Sequence, residues 1–101
     1  MATTTKVLYR GAASTTTTTT LYTVPSATTT VVTDIMVANT ASASASFTLY
    51  LNGTVIASAV AIAANDTTVI PCKQVLAATN TIQGGASATT INFSICGVEV
   101  A

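Results

Sequence analysis

The sequence contains neither histidine nor tryptophan, and only three basic and three acidic side chains occur among its 101 residues. The commonest general base and metal ligand of proteins is therefore missing. The three carboxylates and two thiols are scattered singly along the chain, whereas acid-base pairs and metal sites need such groups close together. We therefore predict a protein that is not an enzyme, and we assign it no catalytic residue, metal site or cofactor.

Charge of either sign is scarce, and the net formal charge is zero. Without a basic cluster the chain has nothing to neutralise a run of phosphates or to hold an anionic membrane surface, so we expect neither nucleic acid nor a membrane as a partner. Threonine, alanine and serine supply 49 of the 101 residues. A surface made mainly of these small side chains lacks the charge repulsion that keeps proteins apart. The composition therefore favours a subunit of an assembly.

The sequence also lacks a long hydrophobic run. Its most apolar stretch, residues 55–64, is too short to cross a bilayer. Only three consecutive apolar residues precede Arg10, too few for the core of a secretory signal. We therefore expect the chain to be made and kept in a cytoplasm. In that reducing compartment Cys72 and Cys96 are most simply free, buried thiols, and a disulfide between them is the alternative.

Threonine, valine and isoleucine are abundant instead, with 41 residues between them, and this β-branched enrichment predicts strands. In several segments apolar side chains alternate with polar ones, which places one face of each strand in a core. The predicted core residues are Ile35, Val37, Phe47, Leu49, Leu51, Ile56, Ile91, Phe93 and Ile95. Shorter runs bring the estimate to about eight strands, with turn signals spaced as in an all-β antiparallel β-sandwich.

Four local signals predict how the strands begin, end and bend. Asn52-Gly53 is a strong hairpin signal because both residues tolerate positive φ, so the strands on either side of it should pair. Pro71 indicates an edge strand or a bulge, since proline has no N–H to donate. The apolar alternation changes parity at Gly97, where we expect a β-bulge. Gly84-Gly85 predicts a further turn.

The run Thr15–Thr20 is the one low-complexity segment, and three interpretations compete for it. It is a loop that enters a strand, since threonine has strand propensity and a solubilising hydroxyl. Alternatively it is an edge strand that pairs with another chain. A regular threonine array of the ice-binding kind is the third interpretation, but it requires repeats, and the sequence has none.

We divide the chain into an amino-terminal arm with the first strand, residues 1–10, and a single β-sandwich domain, residues 11–101. A strand as short as Lys6–Tyr9 must pair with a sheet edge, either of its own domain or of a neighbouring subunit, because strand addition uses backbone groups open to any partner. The candidate assembly contacts are Lys6, Val7, Leu8, Tyr9 and Arg10. Lys6, Arg10 and Glu99 are also candidates for ion pairs within or between subunits.

An ordered set of short segments covers nearly the whole chain. It consists of LYTVP (21–25), TVVTDI (30–35), VANT (37–40) and FTLYLNG (47–53), preceded by VLYRG (7–11) and followed by QVLAA (74–78), TI (81–82), GGA (84–86) and GVEV (97–100). Taken together, the set resembles small β-sandwich structural proteins encoded among the virion genes of tailed bacteriophages, cyanophages included. The resemblance implies a jelly-roll-like fold and a structural part of the virion.

The resemblance further implies a capsid cement or decoration protein that binds the major capsid protein and stabilises the head shell, after assembly in the host cytoplasm. We expect a homo-oligomer, with a trimer favoured, because a cyclic oligomer can match points of local threefold symmetry on the shell. A neck, tail or fibre component is the alternative with the same fold. An alternative from another class is a glycan-binding module that uses Tyr9, Tyr22 or Tyr50 as a stacking platform.

Overall fold

The computed structural model describes residues 3–101, apart from the side chain of Cys72, and this part of the chain forms eight β-strands and no helix. The strands are β1 (Thr3–Ala12), β2 (Thr20–Thr23), β3 (Thr29–Asn39), β4 (Ala45–Leu51), β5 (Thr54–Ile62), β6 (Thr67–Leu76), β7 (Thr81–Ala86) and β8 (Ile91–Val100). Every pairing between them is antiparallel. The predicted all-β antiparallel fold class is confirmed.

The eight strands form two four-stranded sheets. Sheet A has the strand order β1-β8-β3-β6, and sheet B has the order β2-β7-β4-β5. The chain changes sheet at every connection except the one between β4 and β5, which are neighbours in sheet B. This order is compatible with a jelly roll, in which eight strands build two packed sheets. The molecule is a two-layer β-sandwich.

The core lies between the two sheets and is built from alternate side chains of both. Eight of the nine predicted core residues are buried: Ile35, Val37, Ile91, Phe93 and Ile95 in sheet A, and Phe47, Leu49 and Leu51 in sheet B. The rings of Phe47 and Phe93 meet edge to face, with their centroids 6.2 Å apart and their planes at 78°. This is a favoured geometry for aromatic pairs, and it joins the two layers at the centre of the core.

Ile56 is the exception, because its side chain is 43% exposed. The pairing of β4 with β5 contains register shifts on both sides of Leu49, and Ala59 has a φ of 47°. Each such irregularity interrupts the regular alternation of side chains between the two faces. Ala57 consequently lies opposite Leu49 and packs against the core. The assignment of Ile56 to the core was therefore wrong.

Two of the local signals are confirmed. Asn52 and Gly53 have φ values of 49° and 81°, and Leu51 pairs with Thr54 across them. Two consecutive positive φ values are the mark of the type I′ turn that joins hairpin strands. Pro71 lies in β6, at the edge of sheet A and beside a register shift in the pairing with β3.

The threonine run is a loop that enters β2 at Thr20, as the first of the three interpretations predicted. The backbone N–H and the hydroxyl of Thr19 both donate to the carbonyl oxygen of Thr16, at 3.2 and 2.8 Å. A Cβ on Gly85 would lie 2.4 Å from that same oxygen. The loop therefore needs a glycine at position 85, where it crosses β7. The Gly84-Gly85 dipeptide lies within that strand and not between two strands. The prediction of a turn at this dipeptide was wrong.

The prediction of a bulge at Gly97 was also wrong. β8 keeps its alternation through Gly97, and the register shifts lie in its two neighbours, at Leu8 of β1 and Thr33 of β3. A Cβ on Gly97 would lie 2.6 Å from the carbonyl oxygen of Val31 and 2.9 Å from Cδ1 of Leu8. Glycine is required at this position because the bulged neighbours close in over it.

Buried Asn39 fastens the loop after β3 to the end of β5. Its side-chain amide donates to the carbonyl oxygen of Ala43 at 2.8 Å and lies within 3.4 Å of the carbonyl oxygens of Ile62 and Ala63. Its side-chain oxygen accepts from the N–H of Ala41 at 3.1 Å. One buried side chain thus provides partners for backbone groups that the sheets leave unpaired.

We expect Phe93→Ala to lower the free energy of unfolding by about 3–5 kcal/mol, because it leaves a cavity between the sheets. Ile56→Ala should change it by no more than about 0.5 kcal/mol, as an exposed substitution does. Urea unfolding followed by circular dichroism measures both values. Equal losses in the two variants would show that the faces of β5 and β8 are wrongly assigned.

We expect Gly97→Ala to cost about 1–3 kcal/mol, because the added methyl group meets a backbone carbonyl that cannot move aside without disturbing the ladder. Gly11→Ala in β1 is the matched control, since a Cβ there would first meet the hydroxyl oxygen of Tyr9, at 3.3 Å, on a side chain that can rotate. Thermal unfolding of the two variants gives the comparison. Gly97→Ala melting like the parent protein would contradict the close approach of β1 and β3.

Candidate assembly surface

The five candidate assembly contacts lie in β1, which pairs with β8 of the same chain along its length. The structure does not bring them to one surface. Val7 and Arg10 are exposed on the outer side of sheet A, whereas Leu8 is buried in the core. Tyr9 is half-buried, and its hydroxyl donates to the carbonyl oxygen of Ala12 at 3.0 Å. Contact with a partner through this strand stays a prediction.

The fifth candidate, Lys6, belongs to a polar cluster that joins the two sheets. This Tyr22 cluster consists of Lys6, Tyr22, Thr30 and Glu99, from β1, β2, β3 and β8. The Tyr22 hydroxyl donates to Oε2 of Glu99 and shares a hydrogen bond of 2.9 Å with Oγ1 of Thr30. Nζ of Lys6 lies 3.4 Å from Oε2 of Glu99. The ion pair considered for these two charged residues therefore forms within the chain.

The pKa shifts in the Tyr22 cluster favour a neutral phenol beside an ionised carboxylate. Burial raises the pKa of the Tyr22 phenol, and its hydrogen bond to Glu99 raises it further. The hydrogen bond from Tyr22 lowers the pKa of Glu99, and Lys6 lowers it as well. At neutral pH the phenol therefore donates to a full negative charge, which makes a stronger hydrogen bond than a neutral pair.

The Tyr22 cluster is not evident from the sequence, in which Tyr22 is a candidate stacking platform and Glu99 a candidate for an ion pair. The parity of β8 was the available signal, because Glu99 falls on the same side of the strand as Ile95. A carboxylate on the inward side of a strand needs a partner. Nothing in the sequence indicated that Tyr22 of the opposite sheet would be that partner.

The outer side of sheet A carries large apolar side chains that no other element covers. We call this surface the outer A face and define it by Val7, Met36, Val69 and Val75, whose side chains are 42% to 66% exposed. Val31, Val98 and Val100 are half-buried between them on the same side. Large apolar patches on soluble proteins mark interaction surfaces more often than single exposed residues do.

A second apolar surface lies on sheet B, along its edge strand β5. We call it the β5 patch and define it by Val55 and Ile56, which are 48% and 43% exposed. Val60 is also exposed, but it is opposite Phe47 and so lies on the inner side of the strand. β5 contains no charged residue, so it lacks the lysines that natural proteins often place on an exposed sheet edge. The sandwich therefore presents apolar side chains on both of its sheets.

The described residues contain no cluster of three or more carboxylates or thiols that could hold a metal ion. Within the same range no helix is long and apolar enough to cross a membrane. Cys96 is half-buried and forms no disulfide with a described side chain. The predicted state of Cys72 concerns a side chain outside the described ones.

The three tyrosines considered for glycan stacking lie apart. Tyr22 is buried in the cluster named after it, so its ring offers no open face. Tyr50 is half-buried in β4 of sheet B, while Tyr9 lies in β1 of sheet A. The structure therefore does not bring the three rings together into one platform.

No protein-family model matches the chain, and no curated protein matches it in sequence.

We expect Tyr22→Phe to lower the free energy of unfolding at neutral pH by about 1.5–3 kcal/mol, because it removes a hydrogen bond to a charged group. The wild type should also lose stability at both ends of the pH scale. The lowered pKa of Glu99 contributes stability above the ordinary value of 4.5 that disappears as the pH falls through the folded pKa. The raised pKa of Tyr22 contributes stability below 10.0 that disappears as the pH rises through the folded value.

Urea unfolding from pH 3 to pH 11 tests these expectations. In Tyr22→Phe the free energy of unfolding should fall less steeply as the pH rises on the alkaline side. In Glu99→Gln it should fall less steeply as the pH drops on the acid side. Asp66→Asn, at an exposed turn, is the control for loss of a carboxylate outside the cluster. If both variants of the cluster lose stability at acid and alkaline pH as steeply as the wild type, the cluster does not stabilise the fold.

Proposed function

We propose that this chain is a non-enzymatic structural protein of a tailed-bacteriophage virion, and that it acts as a capsid cement or decoration protein on the head shell. The observation that carries the proposal is the presence of two separate apolar surfaces, the outer A face and the β5 patch, on an almost uncharged sandwich. The sequence resemblance to small phage β-sandwich proteins supports the same conclusion.

A cement protein needs more than one contact surface, because it must join neighbouring molecules. Contacts that form only with the assembled shell stabilise the assembled state, just as a ligand stabilises the state to which it binds. These contacts must break before the shell can open. The two apolar surfaces lie on different sheets, so one copy can contact two neighbouring molecules at once, one through each surface. We assign the β5 patch to the major capsid protein, since an uncharged sheet edge also offers backbone groups for strand addition.

A neck, tail or fibre component is the second candidate, because the same fold and surfaces serve a subunit at any of these positions. Cryo-electron microscopy or immunogold labelling of the phage particles that carry the protein separates the two. Density or label distributed over the head supports the cement role. Label confined to the neck or tail selects the second candidate, and label on neither contradicts a virion role.

The glycan-binding alternative is tested independently. A glycan array probed with the labelled protein should show no specific binding. Selective binding that is lost in Tyr50→Ala would favour the module over the virion protein.

We expect Ile56→Lys to reduce binding of purified protein to particles that lack it by about tenfold or more, because a charge must be buried in the contact. Thr54→Lys is the matched control, since it adds the same charge at an exposed position of β5 outside the patch. Bound copies per particle are counted by quantitative gel densitometry. Binding of the wild type should change little between low and moderate salt, because few charges are available to be screened. Equal losses in both variants, or a steep loss with salt, would contradict this assignment.

A further inference from the structure

Arg10 and Asp34, two residues of opposite charge on the outer A face, form no salt bridge within the chain. Lys73, the remaining basic residue, is exposed on the edge strand β6 of the same sheet. Arg10 lies on β1 and Asp34 on β3, both exposed on this side of the sheet. The salt bridge among the described residues is the one between Lys6 and Glu99. In a protein with so few charges, an acidic and a basic group on one apolar surface suggest a complementary surface that carries the same two charges in exchanged positions.

The register of the strands places Arg10 and Asp34 symmetrically about β8. Arg10 is opposite Ser94, Asp34 is opposite Cys96, and β8 lies between their two strands. A twofold axis that is parallel to the sheet and diagonal to its strands, and that passes above β8 between Ser94 and Cys96, exchanges the two charged positions. A second copy related by this axis sets its Asp34 over Arg10 and its Arg10 over Asp34. Twofold contacts pair one surface with itself in this manner.

We propose that the outer A face is the contact surface between two copies of this chain, which stack sheet to sheet about this twofold axis. The surface of a single copy then supplies both halves of the contact. The inference goes beyond the virion role and does not depend on it, since it concerns the purified chain alone. It also departs from the trimer favoured by the sequence analysis, because face-to-face stacking closes at two copies.

The shape of the face agrees with this arrangement. An open depression of about 400 Å³ lies between β1 and β3, lined chiefly by Thr5, Val7, Thr33, Cys96 and Val98. With strands about 4.8 Å apart and about 3.3 Å of rise per residue, the same axis carries the exposed Val7 of the second copy over this depression. A projecting side chain thus meets a recess, and both copies make the contact.

The area that the two faces share follows from the direction of the axis. Each face is about 19 Å wide across its four strands, and the two faces cross steeply, so they overlap over about 400 Å² in flat projection; a surface with projecting side chains has a larger accessible area. Standard interfaces bury about 800 Å² on each partner. Four exposed large apolar side chains contribute to the area of this face, and burial of such side chains drives association.

Charge reversal tests the proposal by sedimentation equilibrium. The wild type should be a dimer, and Arg10→Glu and Asp34→Lys should each weaken dimerisation about tenfold or more, because each brings two like-charge pairs together. An equimolar mixture of the two variants should dimerise again. In the mixed dimer the introduced glutamate faces the introduced lysine, and the native arginine faces the native aspartate. The double variant R10E/D34K should dimerise as well.

Matched controls separate the face from general effects of charge. Asp66→Lys makes the same charge change as Asp34→Lys at an exposed turn, and it should leave the dimer intact. Val69→Asp should dissociate the dimer, whereas Val55→Asp, of similar exposure on the β5 patch, should not. Circular dichroism confirms that each variant is folded.

Three results would overturn the proposal: a wild type that stays monomeric or forms a trimer, a dimer that survives both single reversals, or folded single variants whose mixture does not recover. None of them bears on binding to particles, which is measured separately through Ile56→Lys.

Discussion

The interlocking of alternate side chains between sheets A and B is the constraint on which the rest of this structure depends. The sequence has two phenylalanines, and both are used for the edge-to-face contact between the layers. The isoleucines, valines and leucines around them fill a thin core. Because most other side chains are small, few further apolar side chains are available to replace any that leave the core. Each strand must therefore keep its inward side chains in place, and the glycines and register shifts serve that purpose. Gly97 lets two bulged strands close over β8, and Gly85 lets the threonine loop lie against β7.

The regular part of this architecture can be predicted from the sequence, because alternation in a strand is a local property. Phe47, Leu49 and Leu51 were assigned to the core from their spacing alone, and the type I′ turn at Asn52-Gly53 follows from two residues. Prediction failed where one strand is shaped by its neighbour. The exposure of Ile56 depends on shifts in its pairing with β4, and the glycines at 84–85 mark a crossing loop rather than a turn. The Tyr22 cluster joins residues as far apart as Lys6 and Glu99, and a pattern read along the chain carries no information about such a meeting.

The distribution of charge connects this architecture to the proposed role. Lys6 and Glu99 are used within the chain to hold the first and last strands beside Tyr22. Arg10 and Asp34 remain on the outer A face among valines and Met36. The sandwich thus uses one charged pair for its own stability and exposes Arg10 and Asp34 on a surface that also carries valines, Met36 and threonines. A subunit that must recognise another molecule on a surface of threonine, alanine and valine has few other means of fixing an orientation, because apolar contacts alone are not directional.

The position of β8 between β1 and β3 has a consequence for the order of folding. Strand β1 has its sheet partner about ninety residues further along the chain, so contacts such as Thr3 with Val100 can form only after β8 has been synthesised. Without β8, strand β1 has no sheet partner, because β8 lies between β1 and β3 in sheet A. The hairpin of β4 and β5, by contrast, closes over a two-residue turn. Local pairing comes before distant pairing because closing a long loop costs more chain entropy. We therefore expect the β4-β5 hairpin of sheet B to pair early, whereas sheet A is completed only when β8 pairs with β1 and β3.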